Sequence, residues 1–214
     1  MRQKRPENES EKHIETMTHE LGPIRVTRKE GEEPFHRAGK ALGMNVIDYW
    51  KWAVSDLLGN TERGGIAEFI VAMDFGVIDG VRNSWEPFDL TTKNGIRVEV
   101  KSAAYIQTWK QEGYSQINFA IRPTYGWDAE TNEWGTEQKR QSDAYVFCIL
   151  ANKDQSTIDP LDMDQWEFYV LSTQVLNEKL GEQKTVGLAT LLKFGARKTQ
   201  FREIAATVRD VASN

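Results

Sequence analysis

The stretch Trp85–Ser102, W-E-P-F-D-L-T-T-K-N-G-I-R-V-E-V-K-S, decides the reading of the fold. Two extended runs flank Asn94-Gly95, a pair that tolerates positive φ cheaply and signals a hairpin. Side chains alternate across a strand, so Arg97, Glu99 and Lys101 share one face and Ile96, Val98 and Val100 the other. The apolar face goes to the core. Where Asp89 points depends on the turn, because a one-residue slip flips every side chain. A two-residue loop pairs Leu90 with Glu99 and sends Asp89 to the wrong face. A three-residue loop, Lys93-Asn94-Gly95 with Gly95 left-handed, pairs Thr92 with Ile96 and Asp89 with Glu99.

In that register Asp89, Glu99 and Lys101 form one cluster. Opposed carboxylates destabilise a sheet unless something compensates, and a divalent cation compensates. Carboxylate oxygens suit Mg²⁺, which takes one or two protein carboxylates and completes its shell with water and substrate phosphate. Lys101 is a compact charge able to hold a phosphate oxygen or orient a water. The competing structural reading is a solvated face of an edge strand.

Pro87-Phe88-Asp89, nine intervening residues, then Glu99-Val100-Lys101 resembles the signature of the PD-(D/E)xK phosphodiesterase superfamily, with Phe88 inserted between the proline and the aspartate. The resemblance implies a restriction-endonuclease-like fold, Asp89 and Glu99 as metal ligands, and Lys101 as the catalytic lysine. The cofactor it implies is Mg²⁺, with Mn²⁺ as a substitute, and the substrate DNA. The runs R-G-G-I-A-E-F-I-V-A, E-V-K-S-A-A-Y-I-Q-T-W and S-D-A-Y-V-F-C are similar to bacterial members of that superfamily without an assigned role.

The rest of the chain bears on this reading. The 214 residues suffice for one domain with a sizeable core. Neither a membrane-spanning run nor a signal peptide is visible, which predicts a soluble, cytoplasmic protein. A single cysteine, Cys148, excludes an internal disulfide and a cysteine-based zinc site, and its apolar surroundings predict a buried thiol. The net charge of −5 argues against a protein that coats nucleic acid non-specifically. Lys193–Arg209 is locally cationic, either a phosphate grip or a solvated helix face. The three histidines, His13, His19 and His36, all precede the central motifs, so triad, Cys-His and His-metal chemistry have no histidine there.

Residues 1–20 are polar and charged, which predicts a flexible arm ahead of a single nuclease-like domain over 21–214. Asn45–Leu58 has helical periodicity with Asn45 as N-cap and Gly59 as stop. A second helix, about Glu62–Phe75, is apolar all round except for Glu68, and such helices are buried. A buried carboxylate must be paired or metal-bound. Glu68 therefore either pairs with Arg63 or another base, or joins the acidic cluster. The resemblance favours the latter, since many superfamily members carry such a glutamate before the aspartate.

Beyond the hairpin, Tyr105, Gln107, Trp109 and Lys110 suit stacking on bases and bonding to phosphates, and equally core packing. Gln107, Trp109 and Lys110 are the candidate substrate-binding residues; the resemblance adds to Gln107, because some of these nucleases carry a glutamine there. Strands are expected at Ile117–Ile121, Asp143–Leu150 and Trp166–Leu171, and a polar loop over 123–142. Helices are expected from Ser172 or Thr173 to Leu180, from Thr185 to Phe194 and from Gln200 to Val211. The crossover helix usual in the superfamily falls at either Tyr105–Gln111 or Thr136–Gln141.

This order predicts an α/β domain, a central mixed sheet flanked by helices. The reading is a Mg²⁺-dependent deoxyribonuclease, used by analogy of fold in restriction or defence against foreign DNA. A homodimer suits a double-strand cut. The alternative is a catalytically inactive endonuclease-like fold that binds DNA or a partner protein.

Overall fold

A computed structural model of the chain describes residues 21–213, so the expected arm over 1–20 lies outside the described residues. The architecture grows from β8 (Ala144–Leu150), whose seven residues A-Y-V-F-C-I-L are all buried. A strand buried on both faces must lie inside a sheet. On one side β8 pairs in parallel with β4 (Arg97–Ala104), and on the other antiparallel with β9 (Trp166–Ser172). The short β3 (Leu90–Thr91) and β11 (Arg197–Thr199) complete a five-stranded mixed sheet of order β11-β9-β8-β4-β3. The fold is thus α/β with a central mixed sheet, as its element order predicts.

Helices cover the sheet because each of its faces is apolar. On one face Val98, Val100, Val146, Cys148 and Phe168 pack against Ala67, Ile70 and Val71 of α2 (Asn60–Phe75) and Ile204 and Val208 of α5 (Ile204–Ala212). On the other, Ala103, Tyr145, Phe147 and Leu171 pack against Leu176 of α3 (Thr173–Leu180), Leu191 of α4 (Leu188–Lys193) and Phe119 of β5 (Asn118–Ala120). Strand β5 pairs with β10 (Thr185–Gly187) in a separate ribbon. Cys148 is fully buried, and burial pushes its thiol well above the ordinary range, which leaves it inert.

Several elements differ from expectation, each for a tertiary reason. Helix α1 (Val46–Ala53) stops before Gly59, with the non-helical Val54 as its C-cap, and the turn that follows offers the Leu58 carbonyl to Arg63 Nη1 at 2.7 Å. A capping contact starts it, with Asn45 N donating to Asp48 Oδ2 at 2.9 Å. The Gly-rich segment before it forms a hairpin, β1 (Pro34–Arg37) and β2 (Lys40–Asn45). The expected loop over 123–142 is a second hairpin, β6 (Thr124–Asp128) and β7 (Glu133–Lys139), pinned by the cross-strand pair Trp127–Trp134. Neither stretch proposed for a crossover helix is helical: 105–111 is loop and 136–141 lies mostly in β7, so the parallel β4-to-β8 connection runs through strands. Thr185 opens β10 rather than a helix. The final helix begins at Ile204 and not at Gln200: Arg197–Thr199 pairs as an edge strand with Phe168–Val170, and Arg202, with φ +76°, keeps the intervening turn out of the helix.

The hairpin turn takes the three-residue form. Leu90 faces Val98 and Thr91 faces Arg97, Thr92 N donates to Ile96 O at 2.9 Å, and Gly95 has φ +83°. Left-handed φ costs a residue with a Cβ roughly 1–2 kcal/mol. Gly95→Ala should therefore lower unfolding free energy by about that much in urea titration, with Gly95→Asn milder.

Candidate active site

Asp89 lies one residue before β3, where the sheet edge fails. The Asp89 N–H donates to Val98 O at 3.1 Å, and its carboxylate Oδ2 accepts from the Val100 N–H at 2.7 Å. A side-chain oxygen thus replaces the backbone acceptor that a longer β3 would supply. The contact seats the carboxylate against the Glu99–Val100 peptide, beside the Glu99 side chain.

On β4 the even residues enter the core beneath α2, while Glu99 and Lys101 occupy the other face, opposite Tyr145 and Phe147 of β8. Their side chains are about one-fifth and one-quarter exposed, and they form an ion pair with each other. Burial, followed by the negative charges of Glu99 and Glu68, raises the Asp89 carboxyl to about 6; Lys101 and the Val100 N–H act in the opposite direction. Asp89, Glu99 and Lys101 are therefore close enough to interact electrostatically, as the three-residue turn requires.

Glu68 is placed differently from Glu99. It stands on α2, on the opposite side of the sheet, and Arg82 takes both its oxygens; Nη2 lies 2.7 Å from Oε1. Arg63 is not its partner. The helix is also less enclosed than its apolar circumference predicts, since Phe69 is 51% exposed. Both follow from residues 77–89, which arch past α2 and leave a cleft of about 770 Å³ between them. Glu68, Arg82 and Asp89 line it, so Glu68 reaches Asp89 through the cleft and not across the face of β4.

Arg63 serves a structural end. It is buried, and its guanidinium donates to Ser102 Oγ at 3.1 Å, Leu58 O at 2.7 Å, Gln107 Oε1 at 2.9 Å and Asn60 Oδ1 at 2.6 Å. Gln107, expected to touch substrate, is buried instead, and its amide is committed to Arg63, Ala104 O and Ser115 Oγ. It anchors the loop after β4 to α2. Trp109 and Lys110 project from that loop into solvent. The C-terminal cationic stretch is partly neutralised by ion pairs, Lys198 with Glu167 and Arg197 with Asp210.

The model of the family described as bacteriophage T4 endonuclease IV matches residues 17–189, most of the chain, including Glu68, Asp89, Glu99, Lys101, Gln107, Trp109 and Lys110 but not the C-terminal cationic stretch. The chain belongs to this family. No curated protein matches it at a significant level. As a T4 endonuclease IV family member it places the Asp89–Glu99–Lys101 group, Glu68 and the cleft all inside the matched segment. Sequence reasoning missed Arg82, which governs Glu68, and the buried Arg63 hub; neither has a local pattern that marks it.

The site's oxygens can be tested against a divalent ion. Among the described residues no three Asp, Glu, His or Cys side chains converge to enclose one. Asp89 and Glu99 act on each other electrostatically, Asp89 with Oδ1 free of hydrogen bonds among the described residues and Glu99 paired with Lys101. Two hard oxygen donors with excess negative charge fit Mg²⁺, which keeps several waters.

The raised Asp89 carboxyl has a consequence for stability. The native state holds this proton more tightly than the unfolded chain, whose aspartate titrates near ~4, so the group's contribution falls as pH rises through ~4–6 and stays low above it. In metal-free buffer Asp89→Asn should melt several degrees higher than wild type at pH above about 7, and the difference should vanish below pH about 4. An equal or lower melting temperature at neutral pH would contradict the burial penalty.

Proposed function

We propose that the protein is a Mg²⁺-dependent endonuclease that hydrolyses phosphodiester bonds in DNA, in the manner of the PD-(D/E)xK superfamily, with residues 21–214 acting as one nuclease domain. The observation that carries this reading is the Asp89 carboxylate bonded to the Val100 N–H, beside Glu99 and Lys101. Membership of the T4 endonuclease IV family supports an endonuclease acting on DNA. The order of α2, the β3–β4 hairpin and the parallel β8 supports the superfamily; the strand-built connection between β4 and β8 departs from it.

Asp89 and Glu99 would hold Mg²⁺, with Mn²⁺ as a substitute. When bound, the ion supplies charge neutralisation and a lowered water pKa. The chain's own groups do the rest. Val100 N–H fixes the Asp89 carboxylate so that it does not swing away from the sheet edge. Lys101, with Glu99 engaged elsewhere, turns its ammonium to a non-bridging oxygen of the scissile phosphate and stabilises the charge that develops as water oxygen bonds to phosphorus and the ester oxygen leaves. Glu68, held by Arg82, keeps negative charge near Asp89 and contributes from the cleft side.

Lys101→Ala and Glu99→Ala should each lower the rate of plasmid nicking in Mg²⁺ by at least about 100-fold, with folding checked by circular dichroism. Activity equal to wild type in both variants would sink the assignment. Cleavage of no DNA form by wild type, together with tight DNA binding, would instead make the protein a binding module. Mg²⁺ should also raise the wild-type melting temperature, and Asp89→Asn should abolish that rise.

A further inference from the structure

We infer that the β1–β2 hairpin and helix α1 form the contact face for a second copy of this chain; the inference stands apart from the nuclease reading. These residues are bonded to one another and bury almost nothing. Val46 N donates to Glu33 O at 3.0 Å and Ile47 N to Gly31 O at 2.9 Å, so the start of α1 is fastened to the chain entering β1. Yet α1 has no buried residue, and every position of β1 and β2 is exposed except the half-buried Asn45. A two-stranded hairpin on its own is marginal in water and needs further strands or packing.

The exposed side chains are sorted by face. His36 faces Ala41 and Arg37 faces Lys40, so Phe35 shares a side of the hairpin with Arg37, Lys40 and Leu42. Asn45 faces Pro34, which puts Met44 on that same side. Leu42 is 61% exposed and Met44 59%. Along α1, at about 3.6 residues per turn, Trp50 and Trp52 lie on opposite sides. Trp50 rests against Gly31 and lines the cleft at Asp89, while Trp52 turns outward, 83% exposed, with Ile47 and Tyr49 exposed beside it in sequence. Pairing through the outer side leaves the cleft open.

Area and charge point to a second copy as the occupant. A side chain of this class presents about 200 Å² when fully exposed, so Phe35, Leu42, Met44, Ile47, Tyr49 and Trp52 offer on the order of 600 Å² per copy and a pair buries on the order of 1,200 Å². That reaches the lower bound of stable interfaces and the upper end of what a monomer usually leaves exposed. Residues 1–20 are a poor cover, since Met1, Ile14 and Met17 are their only large apolar side chains. Over 31–54, Arg37, Lys40 and Lys51 balance Glu32, Glu33 and Asp48, so the face is neutral on a chain of net charge −5. It neither attracts a polyanion nor repels its own copy. The hairpin's edges are blunted, β1 by Pro34 and β2 by a bulge where Gly43 has φ +80°, so the copies meet through faces. About a two-fold axis the Arg37–Lys40 end of one hairpin meets Glu32 at the base of the other.

Sedimentation equilibrium of the full-length protein without DNA, over a range of micromolar concentrations, should give a reversible dimer. Leu42→Asp and Trp52→Asp should each raise its dissociation constant at least about tenfold. Leu161→Asp, at a position 65% exposed elsewhere on the chain, should leave it unchanged. Should either aspartate variant at the face lack a cooperative melting transition, Leu42→Ser or Trp52→Ser takes its place with the same outcomes. A wild type that stays monomeric at every concentration overturns the pairing. So does a dimer insensitive to both substitutions, or one weakened equally by Leu161→Asp. Fluorescence anisotropy with a labelled oligonucleotide reads the other occupant: a monomeric wild type whose affinity falls in Leu42→Asp would make this a nucleic-acid face and overturn the inference.

Discussion

The hydrogen bond from the Val100 N–H to the Asp89 carboxylate is the contact on which the site depends. Backbone donors in a sheet must find an acceptor, and the edge of β4 runs out of partner strand after Val98. Filling the vacancy with a side chain does two things at once. It stops β3 after two residues, which opens the sheet edge, and it holds a carboxylate against another strand's acidic residue. The cost is visible in the raised Asp89 carboxyl, whose burial and acidic neighbours disfavour its charged form. Strain of this electrostatic kind is typical of sites that work on charged ligands.

That arrangement is stiff because the strand beneath it is. β4 is clamped in parallel to the fully buried β8 over seven paired residues, and at its start Arg97 holds Asp143 through Nη2 at 2.6 Å and Nε at 3.1 Å. At its far end the Arg63 hub ties Ser102 and Gln107 to α2. A buried guanidinium surrounded by neutral acceptors is costly to desolvate, and burial lowers its proton affinity. Its four acceptors offset that penalty by joining one helix, one strand and two loops. Glu99 and Lys101 thus sit on a strand fixed at both ends, while the cleft and the loop around Trp109 lie on its less constrained flanks.

Two aromatic features flank the site. Trp85 precedes the cleft wall and packs on Trp127 of β6, with ring centroids 5.6 Å apart, and Trp127 meets Trp134 of β7 at 6.4 Å. The β6–β7 hairpin, otherwise exposed on both faces, is joined through these rings to the segment leading to Asp89. Its acidic turn, with Asp128, Glu130 and Glu133, makes it a poor partner for a phosphate backbone. The contact therefore reads as support for residues 85–89.

The alternation of Ile96–Lys101, the Asn-Gly turn and the apolar run of β8 were enough to determine a mixed α/β sheet and a shared face for Glu99 and Lys101, because strand geometry has a period of two whatever surrounds it. The three-residue turn was one of two options in the sequence, and tertiary pairing selected it. The hairpins β1–β2 and β6–β7 were hidden because neither buries a face within the chain, and their apolar residues are too few to set a period. The cleft, the capture of Glu68 by Arg82 over 14 residues, and the burial of Gln107 against Arg63 over 44 depend on where loops cross helices. Local periodicity carries no information about such distances; only the packed chain decides which charges meet.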